Sequence, residues 1–401
     1  MTRAVWAMVA LAVGAAQGGD DEIARIRARV AERTARIPNY TCLETIDRRW
    51  YVDENAASEV LDRLRIEVAV VEGQERFAWP GEKGLESREL QGVLKRGVTK
   101  YGDFAGFLSG IFVSAAATYT LAGEQTANGR RAVRYDYRVP KSAGYLQTRD
   151  GARAVIGYHG SFWVDLESLE LMHLDIEGDD IPAELKTSGV KLGIDYALVA
   201  VGAGSFLLPQ ATDVRVISDR GLESRTVTSF SGCRQFVAQS RISFGEKPLE
   251  QAAKPGGAGG ELPAGLTLEA EWAAPINRRT AAAGDVVQVR LRKGVKAKGG
   301  IAIPKGAVVE GRILRLETFG SAPRCDVLAV RFTKVRFGAA ELGMRAVVSE
   351  FSRGRRVHPG ALDWSEEESH RIRPGSPMFL WGGFSELQEG LAVTLRTEAS
   401  W

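Results

Sequence analysis

Residues 162–177 read FWVDLESLELMHLDIE, and this stretch decides the class of fold. Its second half alternates between two kinds of side chain, Met172, Leu174 and Ile176 against His173, Asp175 and Glu177. A period of two residues predicts a β-strand with one buried and one polar face. An earlier strand ends at Asp165, and a turn at Glu167-Ser168 joins the two. The stretch therefore predicts a hairpin of an antiparallel sheet, although Leu169 and Leu171 share the spacing of the polar residues.

The same alternation recurs on both sides of this hairpin. It is carried by Leu64, Ile66, Val68 and Val70, and by Val133, Tyr135 and Tyr137 against Arg134, Asp136 and Arg138. Further strands are predicted near 193–201, 212–218, 223–231 and 235–244. Two helices are predicted at 21–37 and 103–115. The fold class predicted is mainly β (α+β), a curved antiparallel sheet wrapped around one or two helices.

The first predicted helix has an apolar stripe. Ile23, Ile26 and Val30 follow the spacing of one helix face. The opposite face is rich in arginine, which would also suit a membrane surface. Acidic residues at Asp21 and Glu32 are interleaved with the arginines, so a solvated face is favoured.

One linker divides the chain. Residues 246–261 read EKPLEQAAKPGGAGGE, without aromatic or β-branched side chains, which is typical of a flexible connector. We expect a first domain at 19–245 and a second at 262–401. The second has period-two strands joined by the turn pairs Gly284-Asp285 and Lys305-Gly306, which predicts a small β-barrel. Alternation over 391–401 predicts a terminal strand that closes it.

The first 18 residues have the layout of a secretory signal peptide. Arg3 is followed by an apolar run at 4–12 and by small residues at 13–16. The run is shorter than the ~20 residues that a membrane span needs. We expect a periplasmic or secreted protein of bacterial type, not membrane-spanning after cleavage; an uncleaved anchor is the alternative. A net charge of +3 from 53 basic and 50 acidic residues does not favour a nucleic-acid partner.

Export permits disulfides, and the chain has three cysteines. Cys42 and Cys233 fall near the two ends of the first predicted domain. We predict a bridge between them, worth about 4–5 kcal/mol in the chain-entropy model, and a buried, inert Cys325. Three separate buried thiols are the alternative.

The sequence contains no catalytic motif that we identify, and we assign no catalytic residue, cofactor or metal. A G-x-S-x-G elbow is absent. His159-Gly160-Ser161 places a hydroxyl beside an imidazole, but the sequence does not identify the third group that would orient them for catalysis. His173, Asp175 and Glu177 are metal-ligand types on one strand face, for which a solvated surface is the favoured interpretation.

Aromatic residues supply the candidate ligand site. Trp79, Phe107 and Trp163 are predicted to line an apolar groove of the first domain, and core packing is the alternative.

Two resemblances to known protein families add to these predictions. With its WVD turn and its leucine-rich strand, the segment 130–176 resembles periplasmic lipoprotein carriers and outer-membrane lipoprotein-sorting proteins. That resemblance implies a half-barrel with an apolar concave face. In the second domain, Leu262-Pro263-Ala264-Gly265, then Gly284-Asp285, then Ile303-Pro304-Lys305-Gly306 resemble the C-terminal β-barrel of TrbI-like conjugal-transfer and type IV secretion proteins. The membrane anchor and helical hairpin of those subunits have no counterpart here.

The sequence predicts an exported, non-enzymatic cell-envelope protein that binds an apolar ligand, such as a lipid, or a protein partner. One alternative is an exported hydrolase whose site uses scattered residues such as His159, His173, Asp175 and Glu177. Another is an outer-membrane-associated assembly component.

Overall fold

The computed structural model describes residues 9–51, 59–82, 90, 93–94, 107–127, 129–141, 145–147, 153–236, 260–297, 301–319, 325–351, 355–357, 378–382 and 386–399. These residues form two compact units. The first unit comprises Met1–Trp50, Glu67–Ala78 and Gly84–Val237; the second comprises Tyr51–Ile66, Trp79–Lys83 and Ala238–Trp401. The domain limits predicted from the sequence remain a prediction.

The first unit is an antiparallel sheet with a helix packed on it. Its helix is α1 (Val9–Ala35). Its strands are β1 (Tyr40–Tyr51), the end of β2 (Glu59–Val71), β3 (Gln74–Ala78), β4 (Thr118–Ala127), β5 (Arg130–Val139), β6 (Tyr145–Gln147), β7 (Arg153–Val155), β8 (Gly157–Asp165), β9 (Leu171–Asp179), β10 (Thr187–Val201), β11 (Gly204–Ser218) and β12 (Glu223–Gln235). The main sheet has the order β4-β5-β8-β9-β10-β11-β12-β1. The mainly β fold class is confirmed.

Strand boundaries differ in part from those predicted. The predicted strand at 193–201 lies inside the longer β10, and 212–218 is the end of β11. The predicted strand at 235–244 overlaps the described residues only at its first two positions, because β12 runs on to Gln235. The residues beyond 236 lie outside the part that the structure describes.

Helix α1 covers the apolar face of the sheet. Ile26 and Val30 are buried in a core cluster with Phe112, Phe162 and Leu174. The helix includes the predicted segment 21–37 up to Ala35, and its described part begins at Val9, upstream of the predicted cleavage region. Its position is also set by polar contacts at its edges.

Four polar contacts hold α1 in place. Arg29 and Arg33 both form ion pairs with the buried Glu170, which lies between β8 and β9. The Arg27 guanidinium donates to the carbonyl oxygen of Phe112, at 2.9 Å. The hydroxyl of Tyr135 donates to Glu22 at 2.6 Å. Helix and sheet are thus joined by directional bonds around an apolar core.

The second predicted helix is replaced by a short π-helix. It spans Ser109–Val113, after two helical residues at Phe107 and Leu108; residues 103–106 lie outside the described ranges. Gly110 packs so closely that a Cβ atom there would overlap the hydroxyl of Tyr158. The close approach favours glycine at this position.

A β-bulge between β8 and β9 explains the imperfect alternation around Leu171. Trp163 pairs with His173, whereas Val164 pairs with Leu171, so Met172 is an extra residue. Because a one-residue shift moves side chains to the other face, Leu171 enters the core while His173 faces away from it.

The predicted disulfide is confirmed. Cys42 on β1 is bonded to Cys233 on β12, with 4.1 Å between the Cα atoms. The pairing of β1 with β12 shifts register here, so Cys42 lies opposite Gly232 and Cys233. The bridge links strands that are 191 residues apart in sequence. The side chain of Cys325 lies outside the part that the structure describes.

We expect the Cys42→Ser/Cys233→Ser double variant to lose about 4–5 kcal/mol of unfolding free energy, because its unfolded chain gains loop entropy. Urea unfolding under oxidising conditions measures the loss. A reductant should bring the wild-type protein to the stability of the variant and leave the variant unchanged. Equal stability of the two oxidised proteins would contradict the expectation.

The second unit contains a closed antiparallel circuit of six strands, in the order β13-β15-β18-β19-β20-β24 and back to β13. Its strands are β13 (Thr267–Trp272), β14 (Ile276–Asn277), β15 (Val286–Leu291), β16 (Val295–Lys296), β17 (Ala302–Ile303), β18 (Val308–Phe319), β19 (Cys325–Phe337), β20 (Ala340–Phe351), β21 (Arg355–Val357), β22 (Met378–Gly382), β23 (Glu386–Leu387) and β24 (Ala392–Thr397). The predicted small barrel is confirmed, and β24 closes it by pairing with β13 and β20.

The start of β2 also belongs to the second unit. Residues 60–62 pair with β18, and Leu64 forms a bridge to Ala283. Gly284 has a φ of +108°, and a Cβ atom there would overlap the carbonyl oxygen of Arg65 and lie 3.2 Å from the Trp79 ring. Glycine is therefore required at this turn by both backbone conformation and space.

We expect Gly284→Ala to destabilise the protein more than Gly306→Ala. Both glycines have positive φ, which costs an alanine about 1–2 kcal/mol. A Cβ at Gly306 meets no atom within 4 Å, whereas at Gly284 it meets backbone, which adds about 1–3 kcal/mol. Thermal unfolding of the two variants measures the difference, and equal losses would refute the steric argument.

Candidate functional site: a polar groove on the sheet of the first unit

The sheet face opposite the core cluster carries a groove of about 840 Å³. Strands β4, β5, β8, β9, β10 and β11 line it. Its side chains are those that alternate with the buried ones along each strand, so the same period that builds the core also builds the groove. Hydroxyl and charged groups line most of it.

Strand pairing arranges the charged side chains in two rows that cross the strands. In the first row, each residue pairs with the next across β5, β8, β9, β10, β11, β12 and β1. We call this the basic row: Arg138, His159, Glu177, Lys191, Arg215, Arg225 and Arg49. Glu177 is its only acidic member.

The second row lies two residues further along each strand, about 6.8 Å away. We call it the acidic row: Asp136, Ser161, Asp175, Gly193, Asp213, Val227 and Asp47. Sequence pairs such as Asp136-x-Arg138 and Asp213-x-Arg215 put one member in each row, because residues i and i+2 share a face.

His173 lies beside the acidic row and is held at both ring nitrogens. Nδ1 is 2.6 Å from Oδ1 of Asp195, and Nε2 is 2.9 Å from Oδ1 of Asp175. Burial alone would lower the pKa of His173, but the hydrogen bonds and charges of Asp175 and Asp195 outweigh it and raise the pKa. The geometry thus favours an imidazolium that donates to two carboxylates.

Ser161 and Arg134 both donate to Asp136. The Ser161 hydroxyl lies 2.6 Å from Oδ1 of Asp136, and Nη2 of Arg134 lies 2.8 Å from it. The hydrogen bond from Ser161, with help from Arg134, lowers the pKa of Asp136. The Arg134 guanidinium also lies 5.5 Å from the centre of the Trp163 ring.

The remaining charges are paired in the same manner. Arg225 and Arg215 donate to Asp213 at 2.6 and 3.2 Å; burial would raise the pKa of Asp213, but these bonds lower it. Lys191 pairs with Glu177 at 3.1 Å. Asp179 accepts from Arg138 at 2.6 Å and lies 2.8 Å from His159.

The four residues of the hydrolase alternative therefore share one groove. Both ring nitrogens of His173 are bonded to carboxylates, so neither is placed to accept a proton. The structure shows His159 bonded to Asp179 through Nδ1. Ser161 donates to a carboxylate whose lowered pKa makes it a weak base. Among the described residues, no group of three His, Cys, Asp or Glu side chains is placed to hold a metal ion.

The aromatic residues predicted to bind ligand lie in three different surroundings. Trp79 is buried in the second unit, at 1% exposure. Phe107 packs against the core cluster of the first unit, edge-on to Tyr158 at 5.8 Å. Trp163 lies on the opposite sheet face, 5.1 Å from the His173 ring. The structure does not gather them around one groove, and their ligand role stays a prediction.

Four residues of the groove were predicted from the sequence as one candidate set: His159, His173, Asp175 and Glu177. Four further groove residues were not part of that set: Arg134, Asp136, Asp213 and Arg215. The charged face of β5 was visible in the alternation. What the sequence did not provide was the register that aligns β5 with β11 through three intervening strands.

Comparisons with known proteins give only distant similarities. No family model matches the chain, and neither does a curated protein. Among solved structures, a domain described as outer-membrane lipoprotein-sorting, from Vibrio parahaemolyticus, aligns with 54% of this chain and 94% of its own, at 10% identity and a TM-score of 0.32. A LolA superfamily protein from Nitrosomonas europaea aligns over 53% and 93%, at 10% identity and 0.27.

A third structure, a DUF1329 family protein from Desulfovibrio piger, aligns with 55% of this chain and 94% of its own, at 12% identity and a TM-score of 0.26. The first of these is described as lipoprotein-sorting, the kind of protein that the segment 130–176 resembles. Similarities of this size carry no argument about function. The TrbI-like resemblance of the second domain remains a prediction. Within the described ranges, no helix is long and apolar enough to cross a membrane.

We expect NMR to place the pKa of His173 above the usual value of about 6.5, and Asp175→Asn to lower it. A charged His173 stabilises the folded state fully below about pH 6.5, and this contribution is lost as pH rises through the raised folded-state pKa. The difference in unfolding free energy between wild type and His173→Gln should therefore shrink as the pH rises through the folded-state pKa of His173. The control is Glu124→Gln, which should leave the pKa of His173 unchanged. An equally unchanged pKa of His173 in Asp175→Asn would contradict the expectation.

Proposed function

We propose that this chain is an exported, non-enzymatic binding protein of the cell envelope, and that the polar groove of the first unit is its binding surface. The observation that carries the proposal is the register-aligned pair of charged rows along the groove. Exposed ion pairs contribute little to folding stability, about 0–1 kcal/mol each. So extended a set of charges on one face is better explained by recognition of a ligand.

Substitution of Gly193 by a larger residue would fill part of the groove. It lies in the acidic row between Asp175 and Asp213. A Cβ atom there would meet only side-chain atoms, Oδ1 of Asp175 at 3.3 Å and Cε1 of His173 at 3.6 Å. A larger side chain can therefore occupy the groove without displacing backbone.

The test is native mass spectrometry of residues 19–401 exported to an oxidising periplasm, comparing wild type, Gly193→Leu and Gly189→Leu. Gly189 is on the same strand, outside the groove lining, and its Cβ would meet the Ile217 side chain at 3.3 Å. We expect a bound species on wild type and Gly189→Leu that is reduced at least tenfold in occupancy on Gly193→Leu. Equal occupancy on all three proteins would contradict a groove ligand.

A second candidate is an apolar ligand between α1 and the sheet. The observation in its favour is the concentration of aromatic rings there, with Phe112 and Phe162 at 4.9 Å and a half-buried Phe107 at the edge. A lipid adduct that survives Gly193→Leu and is lost in Phe107→Ala would support this candidate. Trp163 is proposed as a groove contact through its stacking with Arg134, and the role of Trp79 stays a prediction.

A further inference from the structure

The basic row contains like charges directly opposite one another. Lys191 pairs with Arg215, Arg215 with Arg225, and Arg225 with Arg49. Like charges at opposed positions destabilise an antiparallel pair. Each of these cations is bonded to a carboxylate of the protein, Lys191 to Glu177, Arg215 and Arg225 to Asp213, and Arg49 to Glu223. The protein thus tolerates the aligned cations, which also suit a ligand of opposite charge.

The cations of the row keep the capacity to bind an anion while paired. Arg138 and Lys191 are 62% and 51% exposed. The bonds that the structure shows them making engage one carboxylate each, that of Asp179 or Glu177. A guanidinium has five N–H donors and an ammonium has three. An incoming carboxylate or sulfate can therefore be bound without breaking the ion pairs.

The acidic row restricts the kind of anion. Side chains of Asp136 and Asp175 are about half exposed, and their hydrogen bonds described above are accepted through Oδ1. A row of carboxylates repels a ligand that is anionic on every side, such as a nucleic acid. The same carboxylates accept hydrogen bonds from hydroxyl groups. A fitting ligand has anions along one edge and hydroxyls along the other.

The rows also restrict the shape of the ligand. The part of the basic row that lines the groove, from Arg138 to Arg215, crosses five neighbouring strands, which at about 4.8 Å per strand spans about 19 Å. The acidic row runs parallel to it over the same strands. A linear chain of repeating units matches both rows, whereas one small molecule would contact only a part of each.

We infer that the groove binds a linear acidic polysaccharide of the polyuronate type. A sugar of such a chain carries one carboxylate, which suits the basic row, and hydroxyls, which suit the carboxylates of the acidic row. Successive sugars are rotated about the chain axis, so every second or third sugar turns its carboxylate toward the basic row. This inference rests on the proposed function, because it names the ligand class of the same groove.

The test is isothermal titration calorimetry of the full mature chain with a galacturonate decamer at low ionic strength. The groove variant is Arg138→Gln/Lys191→Gln. The control is Arg131→Gln, a β5 arginine outside the groove lining that is 76% exposed and pairs with Glu124 at 2.9 Å. We expect affinity to fall about tenfold or more in the groove variant, to be unchanged in the control, and to weaken as salt rises.

Four outcomes would overturn the inference. One is the absence of binding by the decamer, another is equal binding by the groove variant, and the third is equal binding of the fully methyl-esterified decamer, which lacks the charges. Equal affinity for a linear polyphosphate would also overturn it, because the acidic row would then not discriminate against a ligand that is anionic on every side. If Gly193→Leu still loses its bound species, each of these outcomes contradicts only the ligand class and not the groove as the binding surface. Failure of the inference can thus be distinguished from failure of the proposed function.

Discussion

The register between β8 and β9 is the constraint on which the first unit depends. With Met172 as an extra residue, Leu171 joins the core while His173 remains on the polar face. Without the bulge, the residues on one side of Met172 would exchange faces, which would bury His173 or expose Leu171. The core under α1 and the groove on the opposite face are therefore two results of one pairing.

The two faces of the sheet are stabilised by different interactions. The apolar face is covered by α1, which buries Ile26 and Val30 against it, and side chains of this size contribute about 1.5–3 kcal/mol each. The buried Glu170 fixes where the helix lies, through Arg29 and Arg33. The disulfide acts on the unfolded state by joining β1 to β12. None of these interactions requires the charges in the groove.

The groove charges are consequently available for recognition. Their ion pairs hold the side chains in defined positions, as His173 shows by bonding through both nitrogens. Defined positions reduce the entropy that a ligand must overcome on binding. The same pairing keeps His173 from acting as a free base and directs the Ser161 hydroxyl to Asp136.

The sequence alone determined the elements that rest on local periodicity. The period of two along 172–177 and 133–138 defined strands and their polar faces, the spacing of Ile23, Ile26 and Val30 defined the helix, and the positions of Cys42 and Cys233 supported their pairing. Residues 103–115 were predicted as a helix because their apolar content is high. The structure instead has a π-helix at Ser109–Val113, where Gly110 lies close to Tyr158, and this tertiary contact is not predicted by any local pattern. The basic and acidic rows were also decided only by the tertiary structure. Their members are far apart in sequence and come together only through the register of seven strands, which depends on bulges and long-range pairing that no local pattern encodes.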